Sequence, residues 1–193
     1  MNWFYENWYK ATLILAIPLL LLISFLYLNH NLPLFLIWLQ TVVYLFHQFE
    51  EYIYPGEFVE FFNKNVLASK EKEFPLDKKA SFWINIPIIF IAFPLSAFLA
   101  TFIDISFGVW TIYFSVINAI SHVGMFFKLR YNPGLIASVF LNIPIGIFTI
   151  IYLNDKELVS TTVNLISFGI GLSIQVLLMI YGFLYLKPKI KNK

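Results

Sequence analysis

The sequence predicts an all-α polytopic membrane protein: a six-transmembrane-helix bundle with its N-terminus and C-terminus cytoplasmic. Three observations carry that expectation. Hydrophobic residues make up 60 % of the chain and charged residues 12 %, with 22 Phe, whereas a soluble domain averages about 45–50 % apolar and about 25 % charged. The apolar residues form six continuous runs instead of alternating with period two, so they do not read as the strands of a transmembrane barrel. The 13 Lys and Arg are also shared unevenly among the segments that join those runs. A length of 193 residues suits one domain, and residues 1–193 read as a single membrane domain.

A hydrocarbon core of ~30 Å takes about 20 helical residues. The first run, 11–28, is longer than a signal-peptide core and no small-x-small cleavage motif follows it, so it reads as a retained helix. The second, 33–53, comes after a tight turn at Asn29–Pro33. The third, 82–102, and the fourth, 107–127, are joined across Asp104–Ser106. The fifth and sixth are 134–153 and 161–186. Pro18, Pro87, Pro94 and Pro144 lie inside runs and predict kinks, with the freed carbonyls satisfied by neighbouring groups. NIPI occurs twice, at 85–88 and 142–145, opening the third run and recurring early in the fifth.

Between the second and third runs lies the one sizeable loop, 54–81. Its first part sets Phe58, Phe61, Phe62 and Val66 on one helical face after Pro55, the pattern of a short helix lying in the membrane interface. That helix reads as a seated connector, with a lid or lipid-entry ramp as the functional alternative. Lys70 to Lys79 is mixed in charge and is expected to be mobile.

Basic residues set the expected orientation. All but Lys156 fall at one end: Lys10, the 54–81 loop, Lys128, Arg130 and the tail Lys187, Lys189, Lys191 and Lys193. The positive-inside rule puts that end in the cytoplasm of a cell-membrane protein. No stretch combines strong basicity with interleaved aromatics, so nucleic acid is not an expected partner. Membrane lipids and a lipid-like or hydrophobic substrate are. The absence of Cys excludes disulfides, thiolate catalysis and thiolate metal sites.

Polar residues within lipid are expensive, so their spacing shows which face of a helix is buried. In the second run Gln40, Tyr44, His47, Glu51 and Tyr54 follow steps of four, three, four and three, and Glu50 flanks His47. In the fourth, Thr111, Ser115, Asn118 and His122 follow steps of four, three and four. Such residues stack on one side of a helix. Both histidines lie near the cytoplasmic ends of their runs, His122 about 7–8 Å below the interface at 1.5 Å per residue. Thr111, Ser115, Asn164, Ser167 and Gln175 read as interhelical packing bonds, and Gly169 and Gly171 as sites of close helix approach. Asn142 is at a depth to join the histidines or to serve the Pro144 kink, and Tyr44 is a supporting residue one turn from His47.

His47-Gln48-Phe49-Glu50-Glu51, Asn118-Ala119-Ile120-Ser121-His122 and Tyr131-Asn132-Pro133-Gly134 occur in that order. They resemble the H-x-x-E-E, N-x-x-x-H and Y-x-P-G elements of the HXXEE family of bacterial and archaeal membrane proteins. The resemblance implies a membrane enzyme without implying a substrate. In the Tyr131–Gly134 element, Asn132 is expected to cap the fifth helix, with Pro133 in its first turn. Tyr131, Pro133 and Gly134 would then stand at the cytoplasmic mouth of a site.

Two imidazoles and a carboxylate suit zinc with an open fourth position, or Fe(II) in a facial triad. On that reading His47, Glu51 and His122 are the ligands of a divalent metal, zinc or iron. Glu50 is the general base and Asn118 orients a ligand or holds a developing oxyanion. The two glutamates are interchangeable in these roles as far as spacing goes. Without metal, a glutamate beside a histidine suits acid–base hydrolysis, by analogy with intramembrane prenyl-protein proteases. Those carry an arginine after their glutamate pair, where this chain has Pro55, and the opposite Asn/His order. The expected function is therefore metal-dependent hydrolysis or modification of a lipid or membrane-partitioned substrate at the cytoplasmic side. The alternatives are a proton-coupled transporter or a small-molecule or lipid-binding membrane protein using the His/Glu pairs as a relay, or a structural protein in which the polar residues only pack.

Overall fold

The computed structural model describes residues 2–191, and among these there is no strand. Lys193, counted above in the basic tail, lies outside them. Six helices are long and apolar enough to cross a membrane: α1 (Trp3–Leu28), α2 (Leu32–Tyr52), α4 (Lys78–Phe102), α5 (Ser106–Leu129), α6 (Leu135–Asp155) and α7 (Thr161–Lys191). A short helix, α3 (58–66), sits between α2 and α4.

The helices run past the hydropathic segments because their ends are set by capping groups. Asp77 accepts from the Ala80 amide at 2.7 Å and starts α4 four residues before the apolar run. Asn31 caps α2 with Pro33 in its first turn, and Ser160 caps α7 by accepting from the Val163 amide. Asp104 accepts from the Ser106 amide at 2.9 Å in the α4–α5 turn, and the Ser106 hydrogen bonds hold its carboxyl below the usual range. Proline shapes the interiors. Pro94 and Pro144 each follow a π-helical stretch, Ile86–Ala92 and Ser138–Asn142, in which the amides of Phe93 and Ile143 reach back five residues. The wider turn makes room for a ring that has no N–H and presses on the preceding turn.

Helices α2 and α5 form the centre. α2 packs against α1, α4, α5 and α6, and α5 packs against α2, α4, α6 and α7. The core between them is aromatic: Tyr44 stacks on Phe114 at 5.5 Å and meets Phe93 edge-on at 5.2 Å. The outer faces stay apolar and exposed, as on α1 at Ile14, Leu21, Leu22 and Phe25, which is the distribution lipid requires. The close approach expected at the α7 glycines occurs at Gly171 only. A Cβ there would lie 2.7 Å from the Phe114 amide nitrogen, whereas one on Gly169 would meet nothing within 4 Å.

The 54–81 loop departs from expectation. Helix α3 packs onto the bundle. Phe58 and Phe62 stack on each other at 5.8 Å and turn inward, packing around a small core of Leu67, Leu76 and Leu186 with the end of α7. Nor is the charged stretch after it loose. Asn63, fully buried, donates to the Lys72 and Leu76 carbonyls and accepts from the Leu76 amide at 2.9 Å. Glu60 pairs with Lys64 and Lys72, which hold its carboxyl below the usual range. A single buried Asn bonding the backbone on both sides makes the loop a folded cover, and hydropathy carries no sign of it.

Two outcomes are expected from this architecture. Gly171→Val forces α5 and α7 apart and should cost about 1–3 kcal/mol of stability in detergent thermal unfolding, while Gly169→Ala leaves it unchanged. The chain has no native Cys, so single cysteines report sidedness directly. If the positive-inside expectation is right, Asp104→Cys reacts with an impermeant maleimide in intact cells and Lys70→Cys reacts only after permeabilisation.

Candidate metal centre

The stripe on α2 and the stripe on α5 face each other because those two helices are neighbours, and their histidines meet at one level. The imidazoles of His47 and His122 lie 4.8 Å apart, ring to ring, edge to face. Glu51, one turn after His47, brings a single oxygen, Oε1, to 3.6 Å from both Nε2 atoms. His47, Glu51 and His122 are all buried, and one ligand atom from each falls within 4.8 Å of the others.

Each ring is oriented through its other nitrogen. Asn132 Oδ1 lies 2.7 Å from His122 Nδ1, while its amide group donates to the His122 carbonyl at 3.0 Å, so the same side chain grips the residue front and back. Because Asn132 Nδ2 is occupied by that carbonyl, Oδ1 faces the ring and must accept from Nδ1–H. His47 Nδ1 faces Asn142 Oδ1 at 3.2 Å and Ser138 Oγ at 3.5 Å. The Ser138 hydroxyl donates to the Gly134 carbonyl at 2.6 Å, so its oxygen can only accept from the ring. This pairing puts the proton on both Nδ1 atoms and leaves both Nε2 atoms, each 3.6 Å from Glu51 Oε1, as acceptors. His47 Nε2 has no hydrogen-bond partner, and no protein donor reaches the Glu51 carboxylate among the described residues. Two imidazole nitrogens converging on one carboxyl oxygen that no protein group donates to form an arrangement that a cation or a proton would stabilise.

The α5–α6 turn closes over this trio. Gly134, at φ +97°, sits so near that a Cβ would fall 2.8 Å from His122 Cε1 and 2.9 Å from His47 Nε2. Only glycine adopts that backbone at no cost and clears the rings. Glu50 holds the turn in place. Its two oxygens accept from the Tyr131 hydroxyl at 3.0 Å, the Ile136 amide at 3.0 Å and the Ala137 amide at 2.7 Å. A carboxylate on the first amides of α6 satisfies donors that the helix leaves open and meets the positive end of its dipole. Burial and the Glu50 carboxylate push the Tyr131 phenol well above its usual range, so it stays a donor.

Several sequence assignments change. Glu50, given the role of general base, is turned away from the histidines and spent on the α6 start. Asn132 does not cap α6, whose first residue is preceded by Gly134; it clamps His122. Pro133 precedes the helix instead of occupying its first turn. Asn118 does not bond the trio: its amide donates to Gln175 Oε1 at 3.2 Å, Gln175 donates to Ser121 Oγ at 3.3 Å, and Asn118 Oδ1 is left buried without a partner. The Tyr44 ring lies tilted against His47 at 5.1 Å, and Asn142 joins His47 to Ser115, to which it donates at 2.9 Å. Ser138 was missed, although Gly134, Ser138 and Asn142 follow steps of four along one face.

Fold and site together define a polytopic helical membrane protein with a buried two-histidine, one-carboxylate cluster near one end of its bundle. Residues 38–149, more than half the chain, match the family model HXXEE, described as a protein of unknown function with HXXEE motif. The chain belongs to that family. No curated protein and no solved structure matches it. The matched stretch runs from α2 to α6 and contains every residue of the trio and its supports.

The two glutamates should separate in stability. Glu50→Gln replaces an acceptor facing two backbone amides and should lower thermal stability by about 1.5–3 kcal/mol. Glu51→Gln breaks no protein hydrogen bond and should leave the metal-free protein as stable as before, or more so.

Proposed function

We propose that His47, Glu51 and His122 hold one divalent metal ion, and that the protein is a membrane-embedded, metal-dependent enzyme acting on a lipid or membrane-partitioned substrate. The observation that carries the reading is the hydrogen bonding of both imidazoles at Nδ1. Two asparagines fix Nδ1–H on each ring and leave two Nε2 lone pairs converging on one carboxylate oxygen. Orienting a ligand histidine through its second nitrogen is how protein metal sites are tuned. The 3.6 Å separations are close to the ~3.3–3.4 Å between ligand atoms of a tetrahedral zinc site with ~2.0–2.1 Å bonds.

A metal bound there would supply Lewis acidity toward a carbonyl or phosphoryl oxygen. The rest falls to the chain's own groups. Glu51 has one oxygen on the histidines and a second with no protein donor, so it is the group placed to hold a proton during hydrolysis. Asn118, one helical turn from His122, is tied to Gln175 on α7 and holds that wall of the site in place. Gly134 and the Glu50-held turn cap the site and limit water.

One observation bears on the transport alternative. The hydrogen-bonded chain from the trio passes through Asn142 to Ser115, and among the described residues no hydrogen bond links Ser115 to the next buried polar pair, Gln40 and Thr149. The polar path stops partway across the bundle, which favours a site over a relay.

Metal analysis of the detergent-purified protein tests the proposal. Near-stoichiometric zinc or iron is expected in the native chain and in Glu50→Gln. His47→Ala, His122→Ala and Glu51→Gln should each lose it, by at least the 10–100-fold in affinity that follows disturbance of a ligand shell. Protein that stays metal-free after reconstitution with zinc, iron and manganese overturns the reading.

A further inference from the structure

A second feature adjoins the trio. A cavity of about 460 Å³ lies between α5, α7 and the α3 cover, and Glu51 and His122 form part of its wall. The remaining wall is chiefly apolar, with Phe62, Leu178, Met179 and Phe183. Met179 and Phe183 are also half-exposed on the lipid-facing surface of α7, so the cavity borders the bilayer sideways. Two polar features mark its length. Asn118, bonded to Gln175, lines one end, and Lys128 stands at the basic end of α5 with no ion pair among the described residues. Along α5, His122 lies six residues from Lys128, about 9 Å at 1.5 Å per residue. The carboxylate on the wall, Glu51, is engaged with the imidazoles, so Lys128 is left as the charge that meets a ligand at the mouth.

From this we infer that the cavity is the substrate site and takes an anionic amphiphile with a single apolar chain, its headgroup at Lys128 and its chain lying along α5 and α7 past the His122 face. The inference rests on the proposed metal reading for the word substrate; the binding itself does not need a metal. The volume suits one chain. It holds roughly fifteen groups the size of a water or methylene, enough for one long chain within the cavity. A chain entering sideways keeps its methylenes out of water throughout, and a negative headgroup near a lone Lys at the interface gains Coulomb energy where screening is weakest.

Gly124 provides the test. It lines the cavity, and a Cβ there would meet nothing within 4 Å, so a large side chain fills the space without displacing a neighbour. The full chain is placed in phosphatidylcholine nanodiscs and photolabelled with a palmitic acid analogue carrying a diazirine on its chain, with the methyl ester as the neutral comparison. Label from the acid is expected to concentrate on 118–129 and 175–186 and to fall on the order of ten-fold in Gly124→Phe and in Met179→Trp, a second filling variant. Lys128→Gln should lower labelling by the acid about five-fold and leave the ester unchanged. His47→Ala should lose metal and keep the label, while Gly124→Phe should keep metal and lose it. Label spread evenly over the lipid-facing helices, or unchanged in both filling variants, overturns the inference and leaves the metal reading standing. A metal-free native chain with label at the cavity supports the site as a binding site and overturns the metal reading instead.

Discussion

Inside a bilayer an uncompensated carboxylate is hard to keep, and the centre of this protein is organised around one. Glu51 sits on α2, and its neighbours across the gap are the Nε2 atoms of His47 and His122. For those three groups to meet, α2 and α5 must be adjacent, their polar stripes must face each other, and the two rings must present lone pairs to one point. Each condition draws in further structure. The adjacency comes from the aromatic packing of Tyr44, Phe93 and Phe114, and the ring orientation from Asn132 and Asn142. The depth is fixed by the α5–α6 turn, which Glu50 and Gly134 seat over the rings. Removing the Glu51 carboxyl leaves the supporting bonds intact, because none of them ends on it. Buried polar networks of this kind act as units, and single substitutions do not divide their energy cleanly.

The adjacent glutamates show how one residue of register separates roles. Successive residues on a helix point about 100° apart at 3.6 residues per turn. Glu51 continues the face of His47 at i+4, while Glu50 at i+3 swings toward α6. Both carboxylates are buried, yet one accepts three protein hydrogen bonds and the other accepts none. The first is a structural brace on the opening amides of α6; the second is left facing the two imidazoles. An H-x-x-E-E spacing thus supplies a brace and a candidate ligand from one turn of helix.

Much of this was legible in the residues. Continuous apolar runs gave the spans, because burying backbone in lipid leaves helices as the economical solution. Steps of three and four gave the faces of α2 and α5, and with them the meeting of His47, Glu51 and His122. What could not be read depends on contacts between segments distant in sequence. Asn132 looks like a cap because Asn before Pro-Gly usually serves the local backbone; its service to His122 exists only once α5 has turned back on itself. Glu50 and Glu51 are equivalent until the position of α6 is known. The fold of 69–77 hangs on Asn63, one polar residue in a charged loop. Helix ends moved for a related reason: hydropathy marks what lies in lipid, while Asp77 and Ser160 mark where hydrogen bonding begins.

The repeated NIPI tetrapeptide gains a meaning in three dimensions. Its two asparagines, Asn85 on α4 and Asn142 on α6, reach neighbouring residues of the same central helix: Asn85 accepts from Gln48, and Asn142 faces His47. Grips on consecutive residues approach α2 from directions about 100° apart. One tether would let a rod roll about its contact; two at that angle lock its azimuth. Helix α2 therefore behaves as a keyed shaft, held against rotation by polar teeth on both flanks, and the ligand atoms it carries take their aim from that keying and not from the greasy surfaces around it.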